Sequence, residues 1–344
     1  MAAMMTASVP CRRQGCPYRA QSNKQHCCRL CSFNGKHGPA CQKELTNVAA
    51  LPPSSEANRI TLISGGQRRH ALLFGQNAGS KQPTIIALHG GGGNASSFQS
   101  HCGLNAVAQR EGVIVAYPQG TSFGGFVASL FSHDLCAWNT GHILREAVEG
   151  VDDVGFLTAL IETLVRDHNA DPTRIYMTGL SNGGMMAHIY ATRCSALIAA
   201  VAPICGAMFS TAERPELPVP VMMICGAKDE YVPMEGGISK AWHARNKQTT
   251  PMLPAGEALA FWVNVNNQPQ DVPHINTSHG GVVTTTRFSA PAAETVLIVD
   301  ANGSHEWPGG PHFNRRAAGA AVTGTFSFLA AEEVWNFFRD KQRG

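Results

Sequence analysis

The run Ile175-Tyr176-Met177-Thr178-Gly179-Leu180-Ser181-Asn182-Gly183-Gly184-Met185-Met186-Ala187 constrains this chain more than any other stretch. It starts in β-branched and aromatic residues after Asp171-Pro172, passes through a glycine-flanked serine, and continues with Met185, Met186, Ile189 and Tyr190 at helical spacing. The pattern predicts a buried strand, a sharp turn and a helix. A serine on such a turn projects its hydroxyl above the sheet while the next helix aims its N-terminus at the same point, provided the flanking residues lack bulk. Gly179 and Gly183 meet that condition. A bare G-x-S-x-G is weak evidence; the strand before it and the helix after it give this one its weight.

Such a turn needs a large sheet to stand on. A chain of 344 residues that is 44% hydrophobic and 15% charged can bury one large core and carry a small appendage. No apolar run reaches the roughly 18 residues of a membrane span, so none is expected. The net charge of +3 is unevenly spread. Arg12, Arg13, Arg19, Lys24, Arg29, Lys36 and Lys43 precede the first acidic residue, leaving 20 basic against 24 acidic residues for the remainder. Cysteine divides the chain at the same place, since Cys11, Cys16, Cys27, Cys28, Cys31 and Cys41 are six of the eleven. Residues 1–45 therefore read as a basic, Cys/His-rich appendage, 46–58 with Pro52-Pro53-Ser54-Ser55 as a linker, and 59–344 as the main body. In the appendage Cys28-x-x-Cys31 with His37 and Cys41 has the look of a zinc knuckle, with Cys11 and Cys16 as a second half-site; disulfides in an oxidising compartment are the alternative. Met1–Pro10 is apolar but lacks the basic start of a secretory leader. Basic charge without interleaved aromatics is a poor footprint for nucleic acid, which is not expected as a partner.

From residue 59 strand and helix patterns alternate. An opening hairpin (59–64, 70–74) leads to strands at 83–88, 113–117, 174–178, 199–204, 221–225 and 294–299, with helices at 95–111, 152–169, 181–193, 256–265 and 330–341. That order predicts an α/β class protein with a doubly wound, mostly parallel sheet and functional loops at the carboxyl ends of the strands.

Two further groups stand where a serine nucleophile needs them. Asp229 follows the strand ending at Cys225, and His305 follows the strand ending at Val299; Ser181, Asp229 and His305 thus occur in the order of nucleophile, acid and base. Glu230 competes with Asp229, and His312 shares the loop of His305, whereas His243, His274 and His279 fall in polar stretches and read as surface residues. His89-Gly90-Gly91-Gly92-Gly93-Asn94, directly after a buried strand, offers backbone amides free of side chains; Gly91 is the candidate to join the amide of Asn182 in an oxyanion hole. The run lacks the Lys-Ser/Thr of a phosphate loop. Trp138, Tyr231 and Trp307 are candidates to stack on a substrate ring, with plain packing as the alternative. Asp152 and Asp153 open a helix and read as capping residues. Cys102, Cys136, Cys194, Cys205 and Cys225 form an odd set in the body, so at least one is unpaired unless it joins the appendage.

Together Leu88–Asn94, Tyr117-Pro118-Gln119-Gly120, Val151–Phe156, Gly179–Met186, Ala200-Val201-Ala202-Pro203, Asp229-x-x-Val232-Pro233-x-x-Gly236-Gly237 and His305-x-Trp307-Pro308-Gly309-Gly310 resemble the polyhydroxybutyrate depolymerase and feruloyl esterase branch of the α/β-hydrolases, a group like carbohydrate esterase family 1. The resemblance spans about residues 60–340 and implies a serine carboxylesterase, usually secreted. Its implied substrates are feruloyl or acetyl esters of polysaccharide, or hydroxyalkanoate polyesters, and it implies no cofactor for catalysis. Glu306 and the Cys-rich start depart from the family pattern. A different class of reading is a catalytically inactive hydrolase-fold binding protein whose metal-binding appendage contacts a partner.

Overall fold

The computed structural model describes residues 9–10, 19–20, 58–77, 79–123, 135–144, 148–239, 248, 250–269, 272–290, 293–310 and 325–344. The candidate metal ligands Cys11, Cys16, Cys28, Cys31, His37 and Cys41 lie outside these residues, as do His243 and His312. Of the first unit, Met1–Ala57 with Ala317–Gly319, the described part is an antiparallel pairing of Val9–Pro10 with Arg19–Ala20.

The second unit carries the sheet. Its strands are β1 (Arg59–Ser64), β2 (Gln67–Phe74), β3 (Gln82–Leu88), β4 (Ile114–Pro118), β5 (Ala170–Leu180), β6 (Ala200–Ile204), β7 (Val221–Gly226), β8 (His274–Ser278), β9 (Val283–Ser289) and β10 (Glu294–Asp300). They form one ten-stranded sheet in the order β8-β9-β10-β7-β6-β5-β3-β4-β2-β1. The six central strands from β10 to β4 are parallel, and antiparallel strands close both edges. The helices are α1 (Ala95–His101), α2 (Leu104–Glu111), α3 (Asp153–Asp167), α4 (Asn182–Arg193), α5 (Ala255–Val265) and α6 (Ala330–Phe338).

Successive side chains of a strand point to opposite faces, and here both faces are dry. Ile85, Ala87, Val115 and Tyr117 pack with Leu104, Val107, Trp335 and Phe338 on one side. Ile86, Leu88 and Ala116 pack with Phe156, Leu160, Tyr190 and Trp262 on the other. Each such Leu, Ile or Phe removed from water stabilises the fold by about 1.5–3 kcal/mol, so the central strands are fixed in register by both layers.

Two elements differ from the pattern expected of the sequence. The single helix over 95–111 is two helices, because Gly103 takes a φ of 77° and breaks the backbone ladder between α1 and α2. Asn94 caps α1 by accepting from the Ser97 N–H at 2.8 Å. The edge hairpin β8–β9 carries no strong hydrophobic alternation, since four of the five residues of β8 are exposed. His274 and His279 are exposed, as expected.

Candidate active site

Strands β3 and β5 are neighbours in the sheet, yet β4, which lies between them in sequence, sits on the far side of β3. Chain leaving β3 and chain leaving β5 therefore depart in opposite directions, and a crevice opens above their carboxyl ends. The glycine run after β3 and Ser181 after β5 both face it.

Ser181 has φ 55° and ψ −120°, a conformation rare for a residue with a side chain. It is retained because its surroundings over-determine it. The Ser181 N–H donates to the Ile204 carbonyl at 2.9 Å, and the Ser181 carbonyl accepts from Met185 at 2.8 Å as α4 begins. A Cβ on Gly183 would lie 2.5 Å from the carbonyl oxygens of both Leu88 and His89, and one on Gly179 would lie 2.6 Å from the Gly183 carbonyl. Glycine is thus demanded by the close approach of β3, the turn and α4.

The structure brings Ser181, His305 and Asp229 together. The Ser181 Oγ and His305 Nε2 are 2.9 Å apart, and His305 Nδ1 lies 2.8 Å from Asp229 Oδ2. The Asp229 Oδ1 accepts from the backbone N–H groups of Tyr231 and Val232, each at 2.8 Å, which leaves Oδ2 aimed at the imidazole. An ionised carboxylate only accepts, so beside one Nδ1 carries the ring proton and Nε2 turns its lone pair to the serine. Asp229 is 5% exposed, while Glu230 is exposed to solvent. Tyr231 stacks on the His305 ring with centroids 4.8 Å apart and planes 16° from parallel.

A Cβ built on Gly91 would lie 3.4 Å from the Asn182 Cβ, so the two segments proposed to supply oxyanion donors are adjacent. They are held by a polar lattice that sequence reasoning did not find. The Asn182 side chain accepts from the Trp138 N–H at 2.7 Å and donates to the Trp138 carbonyl at 3.1 Å. The Trp138 indole donates to the His89 carbonyl at 2.9 Å. The Gly120 N–H donates to His89 Nε2 at 3.0 Å, leaving Nδ1 to donate to the Gly90 carbonyl at 2.9 Å. Burial pushes the His89 pKa down to about 4, which keeps the ring neutral and able to both accept and donate.

This lattice corrects two of the stacking candidates. Trp138 is wholly buried with its indole N–H engaged. Trp307 is buried too; it packs edge-on against Phe98 at 5.1 Å and donates to the Cys102 carbonyl at 2.8 Å. Neither presents a face to a ligand, because large aromatics beside an α/β core bury more area by packing than by lining a cleft. Tyr231 is half-buried against the imidazole.

Asp152 caps α3 by accepting from the Gly155 N–H at 2.8 Å. Asp153 does something else. It accepts from Arg69 Nη2 at 2.6 Å and from the Asn139 N–H at 2.7 Å, within the core and with the guanidinium 4.0 Å above the Phe156 ring. Burial raises the Asp153 pKa while the Arg69 charge opposes the rise. No local motif announces this pair, whose members are 84 residues apart. Cys102, Cys194, Cys205 and Cys225 carry free thiols, and the Cys136 sulfur accepts from the Gln119 amide at 2.9 Å. Cys205, directly after β6, is buried, and its Sγ lies within 4.8 Å of the facing atoms of Asp229 and His305.

Residues 70–260 match the family model of the esterase PHB depolymerases. The chain belongs to that esterase family. NocK of Nocardia uniformis subsp. tsuyamanensis, named as an esterase, is 30% identical over 267 residues, covering 73% of this chain and 74% of its own. Feruloyl esterase C of Emericella nidulans is 25% identical over 89% of this chain and 92% of its length. Among solved structures, the acetyl xylan esterase from Aspergillus awamori superposes with a TM-score of 0.52 at 12% identity, over 72% of this chain and 93% of that one. That likeness shows the shared α/β-hydrolase fold. The esterase is a carboxylic ester hydrolase, and no helix among its described residues is long and apolar enough to cross a membrane.

Proposed function

We propose that Ser181, His305 and Asp229 are the nucleophile, base and acid of this esterase, acting through an acyl-enzyme. The observation that carries the reading is the unbroken relay Ser181 Oγ, His305 Nε2, His305 Nδ1, Asp229 Oδ2, with contacts of 2.9 and 2.8 Å. His305 Nε2 takes the Ser181 proton as Oγ bonds to the ester carbonyl carbon, and the carbonyl π pair moves to oxygen. The amides of Gly91 and Asn182 hold that oxyanion. Collapse restores the carbonyl and breaks the bond to the leaving alkoxide, which receives the proton from Nε2. Water then repeats the sequence on the acyl-enzyme and frees Ser181. Asp229 holds the productive tautomer and balances the imidazolium charge. None of these steps calls for a cofactor.

The substrate class follows from kinship: feruloyl or acetyl esters of a polysaccharide, with hydroxyalkanoate polyesters as the second choice. The names of the feruloyl esterase and acetyl xylan esterase relatives support the first, and the family description the second. Tyr231 is the residue in this reading that meets the acyl or sugar ring. In the same reading residues 59–344 form the esterase body, joined through 46–58 to a separate basic module at 1–45 that the spacing of its Cys and His residues suits to zinc.

Hydrolysis of p-nitrophenyl acetate, methyl ferulate, acetylated xylan and a hydroxybutyrate oligomer by wild type and Ser181→Ala tests both levels. The variant should lose roughly 10⁴-fold or more in kcat without loss of fold. Near-normal turnover in Ser181→Ala would sink the triad, while the preferred ester in wild type selects the substrate branch.

A further inference from the structure

Cys205 has no part in the chemistry above, yet it stands beside it. Strands β6, β7 and β10 are parallel neighbours, and each delivers one side chain just past its carboxyl end: Cys205, Asp229 and His305. Adjacent strands lie about 4.8 Å apart, and the loops after β7 and β10 bring Asp229 and His305 within reach of the thiol that directly follows β6. The thiol sulfur, a carboxylate oxygen and an imidazole nitrogen all fall within 4.8 Å of one another. The groups are also fixed. The Cys205 thiol contacts the Ser304 and Glu306 carbonyls at 3.7 and 3.6 Å, and Asp229 Oδ1 is tied to two backbone N–H groups while Oδ2 stays turned inward.

We propose that Cys205 Sγ, Asp229 Oδ2 and His305 Nδ1 form a site for a thiophilic divalent cation of the zinc class, and that its occupation switches the esterase off. The inference rests on the triad reading for its effect on activity, but the donor set stands on its own. One thiolate, one imidazole and one carboxylate with a fourth position for water is the ligand chemistry zinc prefers, at bond lengths of about 2.0–2.3 Å. Tetrahedral coordination needs donor separations of roughly 3.3–3.7 Å, so the sulfur, within 4.8 Å of both partners, closes by at most about 1.5 Å and the 2.8 Å contact between acid and base opens slightly.

Inhibition follows from proton placement. In the metal-free site Nδ1 carries the ring proton and Nε2 is the base. The cation takes the Nδ1 lone pair, the ring proton relocates to Nε2, and Nε2 can no longer accept the Ser181 proton. The thiol loses its proton on becoming a thiolate ligand, so each cation bound releases one proton in total.

The experiment uses the full chain with p-nitrophenyl acetate and buffered free Zn²⁺. In wild type, kcat should fall with KM unchanged, EDTA should restore it, and the apparent inhibition constant should drop about tenfold from pH 7 to pH 8 for one proton released. Cys205→Ala should keep the metal-free rate and resist zinc at least about 100-fold better, and should bind one equivalent of zinc fewer after dialysis. Cys205→Ser, which keeps the side-chain volume, serves if the alanine variant fails to fold. Wild-type activity indifferent to about 1 mM zinc, or equal sensitivity or equal stoichiometry in the Cys205 variants, overturns the site. The metal-free rate ratio of wild type to Ser181→Ala reports on the triad separately, and zinc stoichiometry does not depend on it.

Discussion

Replacing Asp229 by asparagine tests the hydrogen-bond logic of the site at constant shape. The Asp229 Oδ1 accepts two backbone N–H bonds at 2.8 Å, from Tyr231 and Val232, and Oδ2 accepts from His305 Nδ1 at 2.8 Å. An asparagine can keep the two backbone bonds by placing its carbonyl at the Oδ1 position. Its NH₂ then points at His305, and Nδ1 must become an acceptor, which moves the ring proton to Nε2 and removes the base. Flipping the amide would rescue the tautomer but abandon two partly buried N–H groups, at about 1 kcal/mol each. The productive flip is therefore populated at roughly 3% or less, a loss of at least about 30-fold from tautomer alone. Loss of the carboxylate charge that balances the imidazolium brings the expected total to about 10³–10⁴ in kcat, or 4–5.5 kcal/mol at 1.36 kcal/mol per tenfold. Steady-state hydrolysis of methyl ferulate, with far-UV circular dichroism and a urea midpoint to verify the fold, measures it. Glu230→Gln, on the exposed neighbour, should stay within about twofold. A loss under tenfold in Asp229→Asn with the fold intact would refute the assignment.

Acid should unfold the esterase through its buried histidines. Burial drives the His89 pKa to about 4 and that of His188 to about 3, while the unfolded chain protonates both near 6.5. Protons then bind preferentially to the unfolded state between about pH 6.5 and 4, so stability present above that range is lost as pH falls, by about 2.7 kcal/mol per pH unit for the two groups together. Urea midpoints between pH 7 and 4.5 should show this slope and a His188→Phe variant about half of it; an unchanged slope in the variant contradicts the origin. Asp153→Ala leaves Arg69 charged in the core and frees the Asn139 N–H, and should cost about 3–5 kcal/mol in urea unfolding, whereas Asp153→Leu with Arg69→Met should recover most of it. A single-variant cost below 1 kcal/mol would show that the pair is not sealed from water.

What could be read from the amino-acid sequence is what depends on local pattern. The central strands are short apolar runs, and Ser181, Asp229 and His305 each follow one, so topology alone carries them to one end of the sheet. What could not be read depends on partners distant in the chain. Trp138 and Trp307 look identical, as letters, to aromatic platforms; only the His89 and Cys102 carbonyls reveal that their indoles are structural. Asp153 resembles its neighbour Asp152 until Arg69 arrives from β2. Gly103 interrupts a continuous helical pattern because its φ is chosen by packing, and β8 escapes notice because an exposed edge strand needs no apolar alternation.

The same geometry accounts for the proposed sensitivity of the site to metal. The proposed acid and base sit in short loops directly after the adjacent parallel strands β7 and β10, which hold their hydrogen bond at 2.8 Å. The cost is that β6, next in the sheet, ends at Cys205, whose sulfur lies within 4.8 Å of the facing atoms of the acid and the imidazole. An alanine at that position would leave the contacts of the relay in place and remove the third donor, whereas the φ of 45° there disfavours a β-branched residue. Cys205 instead fills it with a sulfur set against two carbonyls. If zinc sensitivity disappears with the thiol while turnover remains, the position separates catalysis from its control within a single side chain.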